Sequence, residues 1–186
     1  MRTEIRLTGI GGQGAITVGH ILGRAAAFYD GKEVVVTEGY SPYVTGGWSR
    51  ADVVISGEPI DYPLVSKLDV LLTMYQEGLD LNEALVKPSG VILVEGKLVD
   101  ASKMKTGVRA LSIPASEKAQ GLGRKVLTNV VMLGALVETT SVVSKVSVEK
   151  ALAERFPKFA ELNLKALGAG MELARAAGNQ ERAQLA

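Results

Sequence analysis

The sequence predicts an α/β protein with three layers, helices on both faces of a mostly parallel central sheet. Two observations carry this. Short β-branched runs of strand length alternate with stretches whose apolar residues recur at helical spacing. The first run hands over directly to a glycine turn, Gly9-Ile10-Gly11-Gly12-Gln13-Gly14, from which the first helix departs. With 186 residues, 47% of them hydrophobic and 22% charged, the chain reads as a single compact domain. Residues 1–178 are assigned to it and residues 179–186 to a polar C-terminal tail.

In the run 3–10, Ile5, Leu7 and Ile10 mark a strand that ends in the turn. Val18, Ile21, Leu22, Ala25 and Tyr29 then share one helical face, with His20 and Arg24 on the opposite, solvated one. After Asp30-Gly31-Lys32, the valines at 34, 35 and 36 are too stiff and too few for a helix and read as a buried strand over 33–37. Strand, glycine turn, helix and strand make a βαβ unit, so the domain is Rossmann-like. Residues 38–50 hold three glycines, a proline, two tyrosines and the only tryptophan, a composition that reads as an irregular loop with large aromatics. The loop leaves the carboxyl end of the second strand, the edge that carries the glycine turn and where open α/β sheets bind ligands.

Further strands are read at 51–56, 69–74, 90–94 and 109–113. About a dozen residues join the second strand to the third, so their relative direction stays open. A helix is expected over 77–86, stopped by Pro88-Ser89-Gly90, and a short one over 116–120, followed by the looser turn Gly121-Leu122-Gly123. From Asn129 to Val137 the chain is apolar nearly all round, a buried helix with its cap near Thr128 or Asn129. Ser147 is read as the cap of the next helix, which Pro157 ends, and a long helix rich in small residues follows from Phe159.

Composition excludes several classes. A net charge of +1, from 21 basic and 20 acidic residues, calls for neither nucleic acid nor an anionic membrane. Apolar runs fall short of the roughly 20 residues that span a bilayer, and Met-Arg-Thr-Glu-Ile is not read as a signal peptide. A cytoplasmic location is expected. Cysteine is absent, so the chain offers no disulfide, no thiolate nucleophile and no cysteine ligand to zinc or an iron–sulfur cluster. With one histidine, His20, no catalytic residue and no metal ligand is assigned.

Residues 9, 11 and 14 satisfy G-x-G-x-x-G between a strand and a helix. Glycines let a ligand approach the backbone, and the helix behind them offers unpaired amides and a positive dipole end, worth about 0.3–1 kcal/mol toward an anion. Glu38 stands where a dinucleotide-binding fold places the acid that holds a ribose hydroxyl. A free-standing NAD(P)-binding Rossmann oxidoreductase is therefore the second reading.

A more specific pattern runs the length of the chain. Gly11-Gly12-Gln13-Gly14, then Tyr43-Val44-Thr45-Gly46-Gly47-Trp48-Ser49-Arg50-Ala51-Asp52, Asp61-Tyr62-Pro63, Gln76-Glu77, Thr128-Asn129-Val130-Val131-Met132-Leu133-Gly134-Ala135 and Phe156-Pro157-Lys158 occur in order. Together they resemble the gamma subunit of 2-oxoacid:ferredoxin oxidoreductases, and Asp61-Tyr62-Pro63 and Gln76-Glu77 look most similar to the 2-oxoglutarate branch, with the pyruvate and 2-ketoisovalerate branches related. The resemblance implies a complex that decarboxylates a 2-oxoacid on thiamine pyrophosphate, reduces ferredoxin through iron–sulfur clusters and forms an acyl-coenzyme A. It places thiamine pyrophosphate, Mg2+ and [4Fe-4S] clusters on alpha, beta and ferredoxin-like delta partner subunits. It leaves this chain, inactive alone, to complete the assembly and help form the coenzyme A site.

On that resemblance the cofactor-binding candidates are Gly11, Gly12, Gln13 and Gly14 as backbone donors, with Ser41, Tyr43, Gly46, Gly47 and Ser49 as the facing wall. One departure stands out. Related subunits commonly read Ser-Tyr-Gly-Pro-Glu-x-Arg-Gly-Gly where this chain has Tyr43 for the acid and Thr45 for the arginine. Threonine cannot supply a guanidinium's charge, and Arg50 is the candidate to replace it.

Overall fold

The computed structural model of the chain describes residues 2–42 and 47–185, the side chains of 182–185 excepted. One sheet of six strands, β1 (Arg2–Ile10), β2 (Glu33–Tyr40), β3 (Trp48–Ser56), β4 (Leu68–Thr73), β5 (Val86–Glu95) and β6 (Arg109–Ile113), runs in the order β2-β3-β1-β4-β5-β6. β4 is parallel to β1, β5 to β4 and β6 to β5, while β3 is antiparallel to both of its neighbours, β1 and β2. Five strands thus point one way and β3 alone points back.

The expected βαβ unit is present but split. β1 is followed by α1 (Ala15–Arg24), which runs on through a π-helical segment, Ala25–Tyr29, into β2. The chain then turns back as β3, which inserts between β1 and β2. Residues 38–40 and 48–50 are therefore strand and not irregular loop: Glu38 pairs with Ala51, Gly39 with Arg50 and Tyr40 with Ser49. Backbone ladder bonds override the turn-forming composition there. β5 likewise begins before Pro88-Ser89-Gly90, because a register shift between Leu68 and Val70 accommodates these residues as a bulge.

Alternation sorts the strand residues onto two faces. Ile5, Leu7, Ala51, Val53, Ile55, Leu72 and Leu93 face a thick helical layer and form the main core with α1 and with α3 (Ala115–Gly121), α4 (Thr128–Thr140), α5 (Lys145–Arg155) and α6 (Ala160–Leu185). The other face is covered by the short α2 (Gln76–Asn82) and by loops, around Leu71, Leu79, Ile92 and Val94. Beneath that thinner cover β1 and β3 carry charge. Arg6 grips Asp52 through Nε (2.7 Å) and Nη2 (2.8 Å) and donates through Nη1 to Asn82 Oδ1 (2.9 Å), all buried.

The α4–α6 contact is tight because two glycines leave room for it. A Cβ on Gly134 would lie 2.1 Å from Leu167 O, and one on Gly170 would lie 1.8 Å from Val131 O. α4 has Leu127 at its N-cap position without a side-chain cap, in place of the expected Thr128 or Asn129. α5 is capped by Ser144, whose hydroxyl accepts from the Ser147 amide, so Ser147 is the partner of the cap and not the cap itself. α6 runs on through Gly178, where the sequence reading starts a polar tail, and Glu181 beyond it pairs with Arg109 at 2.8 Å.

Candidate functional site

β1 ends at Ile10, at the carboxyl edge of the sheet, and the turn that follows enters the left-handed region twice, with φ of 87° at Gly12 and 75° at Gly14. The two glycines answer different needs. A Cβ on Gly14 would sit 2.2 Å from Asn129 Nδ2, whereas one on Gly12 would meet nothing within 4 Å. Gly14 lets α4 pack against the turn; Gly12 faces open space.

Gln13 braces the turn from inside. The Ile10 amide donates to Gln13 Oε1 (2.8 Å), and Gln13 Nε2 donates to Met74 O at the end of β4 (3.0 Å). The Gly11 amide donates to Gly47 O (2.8 Å), which ties the β2–β3 hairpin to the glycine turn, and the Ser41 amide donates to Trp48 O (2.9 Å) within the hairpin. Helix α1 opens on Gly14 without a side-chain cap. Among the described residues, the amides of Gly12 and Gly14 have no acceptor. Such amides ahead of an uncapped first turn suit an anion.

Gly12 and Gly14 both line a cavity of about 520 Å³. Gly11, Gly12 and Gly14 form one wall, Ser41, Gly47 and Ser49 of the hairpin another, and Trp48 and Tyr40 its outer part. The remaining wall comes from far along the chain, with Val126 and Asn129 at the start of α4 and Arg155 and Phe156 at the end of α5. A second cavity, about 540 Å³, opens at the opposite edge of the sheet under the end of α4 and holds none of the candidate residues.

Six sequence candidates, Gly11, Gly12, Gly14, Ser41, Gly47 and Ser49, thus meet at one cavity. Two of the four expected backbone donors are already engaged: the Gly11 amide donates to Gly47 O, and the Gln13 amide donates to Ile10 O (3.0 Å), while the Gln13 side chain braces the turn. Arg50 does not line the cavity. It lies on the face of β3 away from α1, 3.5 Å from Asp52 and with its guanidinium 5.9 Å from the Trp48 ring centroid. Tyr43 and Gly46, with Thr45, lie outside the described residues. Asn129, Arg155 and Phe156 were not singled out for the site by sequence reasoning, because no local pattern brings the end of α5 to the turn after β1. Arg155 is the one charged side chain among the described lining residues.

Glu38 has partners that the sequence did not disclose. His20 on α1 and the Tyr40 hydroxyl both bond its carboxylate. The Tyr40 hydroxyl foremost, then His20, hold the Glu38 carboxyl below its usual pKa, and Glu38 in turn raises the Tyr40 phenol. The acid reserved for a ribose in the second reading is therefore already engaged.

Comparison with known proteins decides the family. The model for pyruvate ferredoxin/flavodoxin oxidoreductase matches residues 4–173. The chain belongs to this family. It is 47% identical over 178 residues, 94% of this chain and 95% of the relative, to 2-oxoglutarate synthase subunit KorC of Methanocaldococcus jannaschii. The crystal structure of a keto/oxoacid ferredoxin oxidoreductase gamma subunit from Geobacter sulfurreducens superimposes with a TM-score of 0.85 at 41% identity, covering 95% of this chain and 98% of that one. The 2-oxoglutarate:ferredoxin oxidoreductase of Magnetococcus marinus, solved with 2-oxoglutarate, coenzyme A and succinyl-CoA bound, also superimposes at 0.85, with 28% identity. It takes up 94% of this chain but only 31% of the longer one. Members of the family are subunits of oxoacid:ferredoxin oxidoreductase complexes, and this chain is a gamma-type subunit. Neither the family nor these relatives favours a free-standing NAD(P) enzyme.

Proposed function

We propose that the chain is the gamma subunit of a 2-oxoglutarate:ferredoxin oxidoreductase and that its glycine-turn cavity holds the anionic end of coenzyme A. The observation that carries the site is the pair of open amides at Gly12 and Gly14, two residues that line a cavity of about 520 Å³. Backbone donors at an uncapped helix start suit a diphosphate. Similarity to a 2-oxoglutarate synthase subunit over nearly the whole chain supports the substrate.

Thiamine pyrophosphate, Mg2+ and [4Fe-4S] clusters belong, on this reading, to alpha, beta and ferredoxin-like delta subunits, with ferredoxin as electron acceptor. Without cysteine the chain has no thiolate to give a cluster. In the Magnetococcus marinus protein the counterpart of this chain is a segment of a longer polypeptide, which supports direct contact with such a partner. Exposed Ile10 and Val126 flank the turn, and Leu98 joins Gly12 and Val126 around a smaller adjoining cavity; these are the apolar groups a partner subunit would cover. The complex works in the cytoplasm.

Affinity purification of the tagged chain from its own cells tests this. The expected result is a coloured complex whose 2-oxoglutarate-dependent reduction of viologen requires coenzyme A. A colourless chain without partners overturns the proposal.

A further inference from the structure

We propose that Arg155 makes the site selective for a ligand with a phosphomonoester set apart from its diphosphate, and so distinguishes coenzyme A from its 3′-dephospho form. The inference rests on the coenzyme A reading above and assigns one part of that ligand to one side chain. The cavity offers two separate positive loci. One is the backbone of Gly12 and Gly14, without side chains and suited to close approach by a diphosphate. The other is Arg155, which lines the same cavity from a different element, the end of α5.

Arg155 is free to take an anion. Its guanidinium packs 5.0 Å from the Phe156 ring centroid, and among the described residues no carboxylate pairs with it. Its sequence neighbour Glu154 is held by Arg24 at 2.6 Å and by the Tyr29 hydroxyl. Arg124, in the turn before α4, packs on Phe159 at 4.5 Å, and among the described residues it has no ion pair either. Trp48 and Phe156 give the same cavity two aromatic surfaces, and purines stack on such rings. An aromatic lining and two anion loci in one cavity suit an adenosine phosphorylated at two positions. A ligand with only a diphosphate leaves the guanidinium without a partner, and planar guanidinium suits a phosphate dianion better than an ammonium does.

The test uses the assembled complex, with coenzyme A and 3′-dephospho-coenzyme A as co-substrates and KM for each as readout. The native complex is expected to show a KM for the dephospho form at least tenfold higher. Arg155→Gln should raise the KM for coenzyme A about tenfold and leave that of the dephospho form within twofold, so the ratio collapses; Arg155→Lys should keep most of it. Arg155 is exposed and, among the described residues, donates no side-chain hydrogen bond, so co-purification and thermal melting should be unchanged. An unchanged ratio in Arg155→Gln, an equal loss for both ligands, or no discrimination by the native complex overturns the proposal. Gly12→Asp separates the two levels. If it raises both KM values while Arg155→Gln leaves the ratio intact, only the Arg155 assignment fails; if it moves neither, the coenzyme A reading of the turn fails with it.

Discussion

Gly12 is the position at which the anion-binding argument is most exposed to refutation. A Cβ there would meet nothing within 4 Å, so substitution carries no packing cost in this chain. The remaining cost is the left-handed φ of 87°, about 1–2 kcal/mol for an ordinary residue and less for Asn or Asp, which tolerate that region. Gly12→Asn and Gly12→Asp share size and backbone tolerance and differ only in charge. A carboxylate about 6 Å from a bound phosphate, at an effective dielectric of about 20, is opposed by about 3 kcal/mol. That corresponds to a rise of roughly a hundredfold in the KM for coenzyme A for Asp over Asn. The assay is viologen reduction by the assembled complex at varied coenzyme A, with thermal melting as the folding control. Equal KM values for the two variants would falsify the claim that an anion binds at this turn.

Three further outcomes follow from packing and charge. Gly170→Ala must push α4 and α6 apart, since its Cβ would sit 1.8 Å from Val131 O; overpacking of this kind costs about 1–3 kcal/mol, a loss of roughly 2–12 °C in Tm. Gly168→Ala in the same helix meets nothing within 4 Å and should be neutral or stabilising, so equal melting of the two variants would sink the packing account. Asp52→Asn strands the buried Arg6 guanidinium and should cost about 3–5 kcal/mol, whereas replacing both by Met and Leu should recover most of it; chemical denaturation reads the difference. Burial pushes the Glu4 carboxyl up, but the Ser66 and Lys67 amides and the Arg2 guanidinium outweigh it and hold its pKa below the usual value. Its contribution to stability is then complete above about pH 4.5 and is lost as pH falls through the lowered pKa. Glu4→Gln should flatten that acid limb in melts between about pH 2 and pH 6; an unaltered limb would refute the assignment.

The sheet was legible where side chains declare themselves. Val34, Val35 and Val36, or Leu71 and Leu72, belong in strands because β-branched and apolar runs fit a buried pleat. The glycine turn was legible because the positive φ at Gly12 and Gly14 favours glycine. What the sequence hid is what depends on partners far away. Gly39 and Tyr40 look like loop until β3 offers them a ladder. Gln13 looks like a backbone donor to a ligand until Ile10 O takes its amide. Arg155 and Asn129 join the cavity only because α4 and α5 pack on the same face as α1. Glu38 looked free because one partner, His20, lies on another element 18 residues earlier, and the other, Tyr40, reads as loop until β3 pairs with it. Local propensity has no access to such pairings.

The strand that runs backward between β1 and β2 acts as a spacer of fixed gauge. Adjacent strands stand about 4.8 Å apart, so with β3 interposed the end of β2 lies about 9–10 Å from the end of β1, two steps where an uninterrupted crossover would leave one. An acid at the end of β2 is thereby carried out of range of a sugar whose phosphates rest in the turn. The interval gained is occupied by a hairpin mouth. One reversed strand thus converts a cleft suited to gripping a ribose into a wider bay, open at the rim where a second polypeptide can close it.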